Sequence, residues 1–206
     1  LDSTIISNTI LQSITFLPSS SGNIINGLTI KGSNDQGGAV QIGNYSEGSS
    51  VIINNCHVIN NLYGIYVYDE SAVTIENCII SNNQKNGIFV ESQDAITNSN
   101  LTINNSTIDN NGDFGIDAQR TNLTITNSII SNNNSSGNTD PEQIAGIHWD
   151  SSGGDGTLIL EDVQIKNNNG CGLWTGPYSN DNTTSTLNNV VIRGNKYRGI
   201  RVLKNA

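Results

Sequence analysis

The sequence predicts an all-β solenoid of three parallel sheets, and three observations carry that expectation. First, a module of three short strands recurs: Val73 to Glu91 (VTIENCIISNNQKNGIFVE) reappears as Leu101 to Gln119 (LTINNSTIDNNGDFGIDAQ). Further copies begin at Val51, Leu123, Leu158 and Thr186, some with insertions. Second, one residue breaks the first two strands of each copy apart: Gly27, Asn55, Asn77, Asn105, Asn127, Asp162 and Asn189. Asn is the non-glycine residue that best tolerates a left-handed backbone, and one such residue turns the chain sharply. Third, a glycine opens the third strand: Gly64, Gly87, Gly115, Gly146, Gly172 and Gly199. Three strands per copy, with no helical period between them, cannot bury their apolar sides alone; stacked on neighbours they can.

Each element follows from its pattern. Val73-Thr74-Ile75 alternates apolar and polar residues, as a strand with one buried face must. Cys78-Ile79-Ile80 resumes after Asn77, and Asn82 to Asn86 reads as a polar turn. Gly87 then opens Ile88-Phe89-Val90-Glu91. Two aliphatic stacks are expected inside. One runs through Ile30, Val58, Ile80, Ile108, Ile130, Ile165 and Ile192, and the other through Ile65, Ile88, Ile116, Ile147, Leu173 and Ile200. Asn side chains stacked at the turn can hydrogen-bond to one another, while the Asn-Asn pairs, such as Asn82-Asn83 and Asn110-Asn111, read as turn residues.

One domain spans 1–206, with an irregular opening stretch at 1–23 and regular coils over 24–203. The third strand near Gly37 to Ile42 does not match the later register. Coil lengths vary only in the turns, where repeat architectures accept insertions. The longest are Asn133 to Gln143 and the segments 91–100, 150–157 and 176–185. The chain begins at Leu1 and contains no Met, which reads as a processed product, an excerpt of something longer or a stacking unit.

Composition narrows the partners. The formal charge is −9, so nucleic acid and anionic membrane surfaces, which attract basic patches, are poor partners. No run approaches the length of a membrane span. Three cysteines make no disulfide framework. Cys56 and Cys78 occupy the same inward slot on consecutive coils, just within reach of a bridge; His57 beside them points the other way and completes no zinc site.

The pattern resembles the right-handed, single-stranded parallel β-helix of the pectate-lyase-like superfamily, over about seven coils within residues 24–203. That resemblance implies that the glycine-led strands form the sheet whose outer face bears a glycan groove. Alternation places Tyr66, Phe89, Asp117, His148, Trp174 and Arg201 outside, then Tyr68, Glu91, Gln119 and Asp150. Glu91, Asp117, His148 and Asp150 are the candidate catalytic groups, within two or three rungs about 4.8 Å apart. Crowded carboxylates serve as general acid and base or hold a cation, and calcium is the cation that the resemblance implies. Tyr66, Tyr68, Phe89, Trp174 and Arg201 are the candidate ligand-binding residues, with flat rings suited to the apolar faces of sugars. Loop acids Asp140 and Glu142 can wall the groove.

No complete lyase or hydrolase motif is present. Asn138-Thr139-Asp140 matches a polygalacturonase-like fragment but stands in a turn insertion without its companions. Only Arg201 can play the catalytic base of a pectate-lyase-like site. Two functional classes follow: an extracellular or cell-surface protein that binds, and in the enzymatic version cleaves, polysaccharide; and a non-catalytic adhesive or structural protein that self-assembles by stacking or packing, with a tailspike-like homotrimer as a variant.

Overall fold

Each repeat closes one coil. In the computed structural model the described residues are 5–7, 10–44, 47–68, 70–91, 98–135, 144–150, 155–176 and 183–202, of which 5–7, 10 and 11 are described by backbone alone. Asp140, Glu142, the Asn138 fragment and most of the expected insertions lie outside them. The strands form three eight-stranded sheets. The central repeat contributes Ala72–Glu76 to the first sheet, Ile79–Ser81 to the second and Ile88–Val90 to the third. Every pairing between successive coils in these sheets is parallel, so strand order follows coil order.

The expected stacks are the core. Val58, Ile80, Ile108, Ile130 and Ile165 pair in register down the second sheet, and Ile65, Ile88, Ile116, Ile147 and Leu173 down the third. All are buried. Burying an aliphatic side chain of this size contributes about 1.5–3 kcal/mol. Trp149, the largest fully buried side chain, points inward from the third sheet, and its indole N–H donates to the Thr121 carbonyl at 2.8 Å.

Two sequence expectations change. The opening stretch is a coil like the others: Ile5–Ser7, Ile10–Leu11 and Ile14–Phe16 pair with Asn23–Asn26, Thr29–Lys31 and Val40–Ile42. It makes eight coils with the seven that follow. Its regularity is hidden because Ser13, not glycine, precedes its third strand. In the second coil Val40 pairs with Ile65, so Ala39 stands in the slot that glycine fills later. The register there is regular, contrary to the sequence expectation, with alanine in place of glycine.

All seven residues expected to break the first two strands have left-handed backbones, from φ 46° at Asn105 to 70° at Gly27. Their side chains form the expected ladder on the surface: Asn55 Nδ2 donates to Asn26 Oδ1 at 2.9 Å and Asn105 Nδ2 to Asn77 Oδ1 at 2.6 Å.

The Asn-Asn pairs do more than turn. The first member is left-handed (Asn60, Asn82, Asn110, Asn132, Asn167). The second member, Asn61, Asn83, Asn111, Asn133 or Asn168, is buried and forms a second ladder inside the coil. Asn111 Oδ1 accepts from the backbone N–H of Asn83 at 3.2 Å and from its side-chain amide at 2.9 Å. Asn111 Nδ2 donates to the Ile80 carbonyl and to Asn133 Oδ1. Each buried amide thereby satisfies backbone groups that the corner between sheets would orphan.

The same ladder explains the glycines. A Cβ at Gly115 would lie 2.6 Å from Asn133 Nδ2 and 2.7 Å from the Gly146 carbonyl, and Gly87 and Gly146 meet the ladder in the same way. These glycines leave room for the next coil's Asn.

The inward slot after the turn holds Cys56, Cys78, Ser106 and Ser128 in turn. Ser106 Oγ accepts from the Cys78 N–H at 3.1 Å, and Cys78 Sγ lies 3.4 Å from the Cys56 backbone nitrogen in the equivalent contact. Both cysteines are buried and free, so the bridge weighed from sequence is not formed. The hydrogen bond with Cys56 and burial push the Cys78 thiol up from its ordinary value.

Candidate functional site

The third sheet's outer face carries the expected row. Tyr66, Phe89, Asp117, His148, Trp174 and Arg201 pair one with the next on successive strands. The middle of that row opens into a cleft of about 340 Å³, lined by Tyr63, Asn86, Phe89, Asp113, Phe114, Asp117, His148 and Trp174. That volume lies at the small end of ligand pockets.

One wall was not among the sequence candidates. Gly112 closes the turn against the preceding coil: its N–H donates to the Asn83 carbonyl at 2.8 Å, and a Cβ there would meet the Gln84 carbonyl oxygen at 1.8 Å. The chain then presents Asp113 and Phe114. The Phe114 N–H donates to Asn86 Oδ1 at 3.2 Å, and Lys85 Nζ lies 3.3 Å from Asp113 Oδ2. The available signal was position: Tyr63, Asn86 and Phe114 each directly precede the glycine of their coil.

Asp117 and His148 sit at the floor, on adjacent strands. Asp117 Oδ1 is 2.7 Å from His148 Nδ1, and both residues are buried. A carboxylate only accepts, so Nδ1 carries the proton in this pair. His148 is held between rings, stacked on Phe114 at 5.4 Å and 27°, and tilted on Trp174 at 4.3 Å. Its Nε2 is buried and has no hydrogen-bond partner. Trp174 packs on Phe114 and, from the other side, receives the Arg201 guanidinium at 4.8 Å. Buried Ala145 and Cys171 complete a small apolar cluster beneath Trp174 and Phe114, outside the main core.

The other candidates lie apart from this cleft. Glu91 belongs to the second outward row, where its Oε2 accepts from the Tyr66 hydroxyl. Tyr66 also packs on Tyr68 at 4.7 Å and on Phe89 at 4.9 Å, and both tyrosines are buried against their neighbours. Asp150 is half-buried in that second row, and its backbone carbonyl accepts from the Arg120 N–H. Of the four proposed catalytic groups only Asp117 and His148 come together, in the cleft; Glu91 and Asp150 lie outside it and apart from each other. Among the described residues no group of three His, Cys, Asp or Glu side chains is placed to hold a metal ion, so the calcium expectation finds no donor set there.

Three parallel sheets wound coil on coil, with a cleft on one outer face, define a β-helix solenoid. The chain belongs to the family described as right handed beta helix region, which matches residues 1–118 and 94–190. Among solved structures it is similar to the enzymatically active domain of tailspike protein 2 of bacteriophage CBA120, with a TM-score of 0.65 and 14% identity over 93% of this chain and 36% of that one. It is also similar to pectate lyase Pel9A, with a TM-score of 0.45 and 14% identity over 91% of this chain and 59% of that one. The chain spans well under two thirds of the length of both, and at this identity the likeness concerns the fold. No curated protein matches the chain. No helix among the described residues is long and apolar enough to cross a membrane.

Proposed function

We propose that this protein binds polysaccharide along the outer face of the third sheet, outside the cell or at its surface, and that the cleft seats a sugar unit. The observation that supports this reading is the lining: Phe89, Phe114 and Trp174 around a floor of Asp117, His148 and Asn86. Rings cover the C–H faces of a sugar, while a few convergent polar groups select its hydroxyls. The outward row continues in register past the cleft to Tyr66 and Arg201, a regular spacing suited to an extended chain. The test is a glycan array probed with the wild type and with Trp174→Ala, with circular dichroism to follow the fold. Retained fold with lost binding supports the cleft; a wild type that binds no glycan overturns it.

One atom favours a second reading, that bound glycan is also cleaved. His148 is fixed through Nδ1 by Asp117 and keeps Nε2 without a partner, so it can act as a positioned general base once Phe114 or Trp174 shifts to uncover that buried atom. In that reading His148 exchanges a proton with the substrate or with water, and Asp117 positions it. A depolymerisation screen of wild type against His148→Gln tests this: cleavage that survives the substitution removes His148 from the chemistry.

A further inference from the structure

We infer that the sugar unit seated in the cleft is uncharged, bearing neither carboxylate nor sulfate; this rests on the glycan-binding reading above. The lining contains two carboxylates, Asp113 and Asp117, and no lysine or arginine. Asp117 is 7% exposed, so its charge is poorly screened by water. An acidic ring entering beside it would lose hydration without gaining an ion pair, and a buried anion needs a paired cation or several donors.

The two nearest bases do not supply one. Lys85 points at Asp113, 3.3 Å away, from a rim position where its side chain is 47% exposed. Arg201 stands one strand beyond Trp174, with its guanidinium over the indole ring, so that Trp174 separates it from His148. Protonation of His148 would neutralise Asp117 within their own pair and leave Asp113 to Lys85. The formal charge of −9 repels an acidic polymer at longer range.

The ring faces fit the same choice. Trp174, Phe114 and Phe89 present apolar surface, Asp113 and Asp117 present acceptors to hydroxyl protons, and Asn86, whose Oδ1 accepts from the Phe114 N–H, is left with its amide donor. A hydroxylated ring meets all three; the extra carboxylate of a uronate would face the two aspartates.

The test uses the full chain on an array holding uncharged glycans and uronate-bearing glycans, followed by titration of the best uncharged oligosaccharide and of oligogalacturonate at low and high salt. The uncharged oligosaccharide is expected to bind about tenfold more tightly or better, with affinity changing less than about twofold with salt, since screening acts on charges. Asp113→Lys is expected to raise oligogalacturonate affinity about tenfold. Oligogalacturonate binding equal to or tighter than the uncharged ligand in the wild type overturns the inference and leaves the glycan cleft standing. An array on which nothing binds overturns the glycan reading itself.

Discussion

Asp117 Oδ1 lies 2.7 Å from His148 Nδ1 across two adjacent strands of the third sheet, and the His148 ring packs between Phe114 and Trp174. The solenoid makes that contact inevitable once the register is set. Asp117 and His148 occupy the same outward slot of consecutive coils, at the rung spacing. Asp117→Ala strips Nδ1 of its acceptor in a buried site and is expected to cost about 1–3 kcal/mol in urea unfolding, whereas Asp117→Asn keeps an acceptor and costs less. A double-mutant cycle with His148→Phe should return a coupling of about 0.5–3 kcal/mol. Additive effects would mean that the contact is not formed in solution.

Two asparagines of one repeat should behave oppositely. Asn105 needs only its left-handed backbone and a surface ladder bond. Asn105→Gly is therefore expected to change stability by less than about 1 kcal/mol. Asn111 holds the Asn83 N–H, the Asn83 amide, the Ile80 carbonyl and the Asn133 amide. Asn111→Ala orphans several of these at once and is expected to cost about 3 kcal/mol or more, at about 1–3 kcal/mol for each buried group left unmade. Equal costs in denaturant unfolding would contradict the distinction between the two ladders.

Gly115→Ala drives a Cβ into Asn133 and the Gly146 carbonyl, while a Cβ on Gly199 meets only Ile192 Cγ2 at 3.6 Å. The first is expected to destabilise by about 1–3 kcal/mol, as overpacking does. The second should stay within about 0.5 kcal/mol. Thermal or denaturant midpoints of the two variants decide it.

The stacked thiols have a pH signature. The hydrogen bond between the two thiols raises Cys78 above its ordinary value of 9.0 and lowers Cys56 to about 7, so the folded pair releases one proton earlier and keeps the other longer than the unfolded chain does. The Cys78 contribution to stability is complete below 9.0 and declines as pH climbs past that value, whereas the Cys56 contribution grows between about 7 and 9.0. Ser106 and Ser128 show that a hydroxyl fits the slot. Cys78→Ser is expected to flatten the fall in stability above about pH 9 relative to the wild type, while costing less than about 1 kcal/mol near neutrality. Both native thiols should resist a thiol reagent until the chain unfolds; rapid labelling of the folded protein would contradict their burial.

Most of the architecture was legible because each coil is punctuated the same way. Asn77 marks the turn and Ile80 and Ile88 the core; Phe89, Asp117, His148 and Trp174 follow by alternation from their glycines. What sequence did not separate were residues of one type in two environments. Asn82 and Asn83 look alike in a row, yet one turns the chain and the other is buried against the next coil, a role fixed only by stacking. Phe114 escaped because it stands before the strand, where alternation gives no face, and its direction depends on how Gly112 packs on Gln84. Glu91 shares its alternation with the row it was grouped with, but the Tyr66 hydroxyl engages it away from the cleft. Ile5 and Ile14 belong to a regular coil whose punctuation is weaker than the rest.

The protein contains two tryptophans, and they report from different places: Trp149 is 1% exposed in the core, and Trp174 lines the cleft. Titrating the wild type and Trp174→Phe with the best array ligand, while following tryptophan emission, therefore tests the central claim most directly. Saturable quenching or a blue shift is expected in the wild type, with the signal lost in Trp174→Phe although calorimetry still detects binding to the retained ring. An emission change that persists in Trp174→Phe, or calorimetric binding in the wild type with no change in emission, would place the ligand elsewhere and contradict the cleft as the functional site.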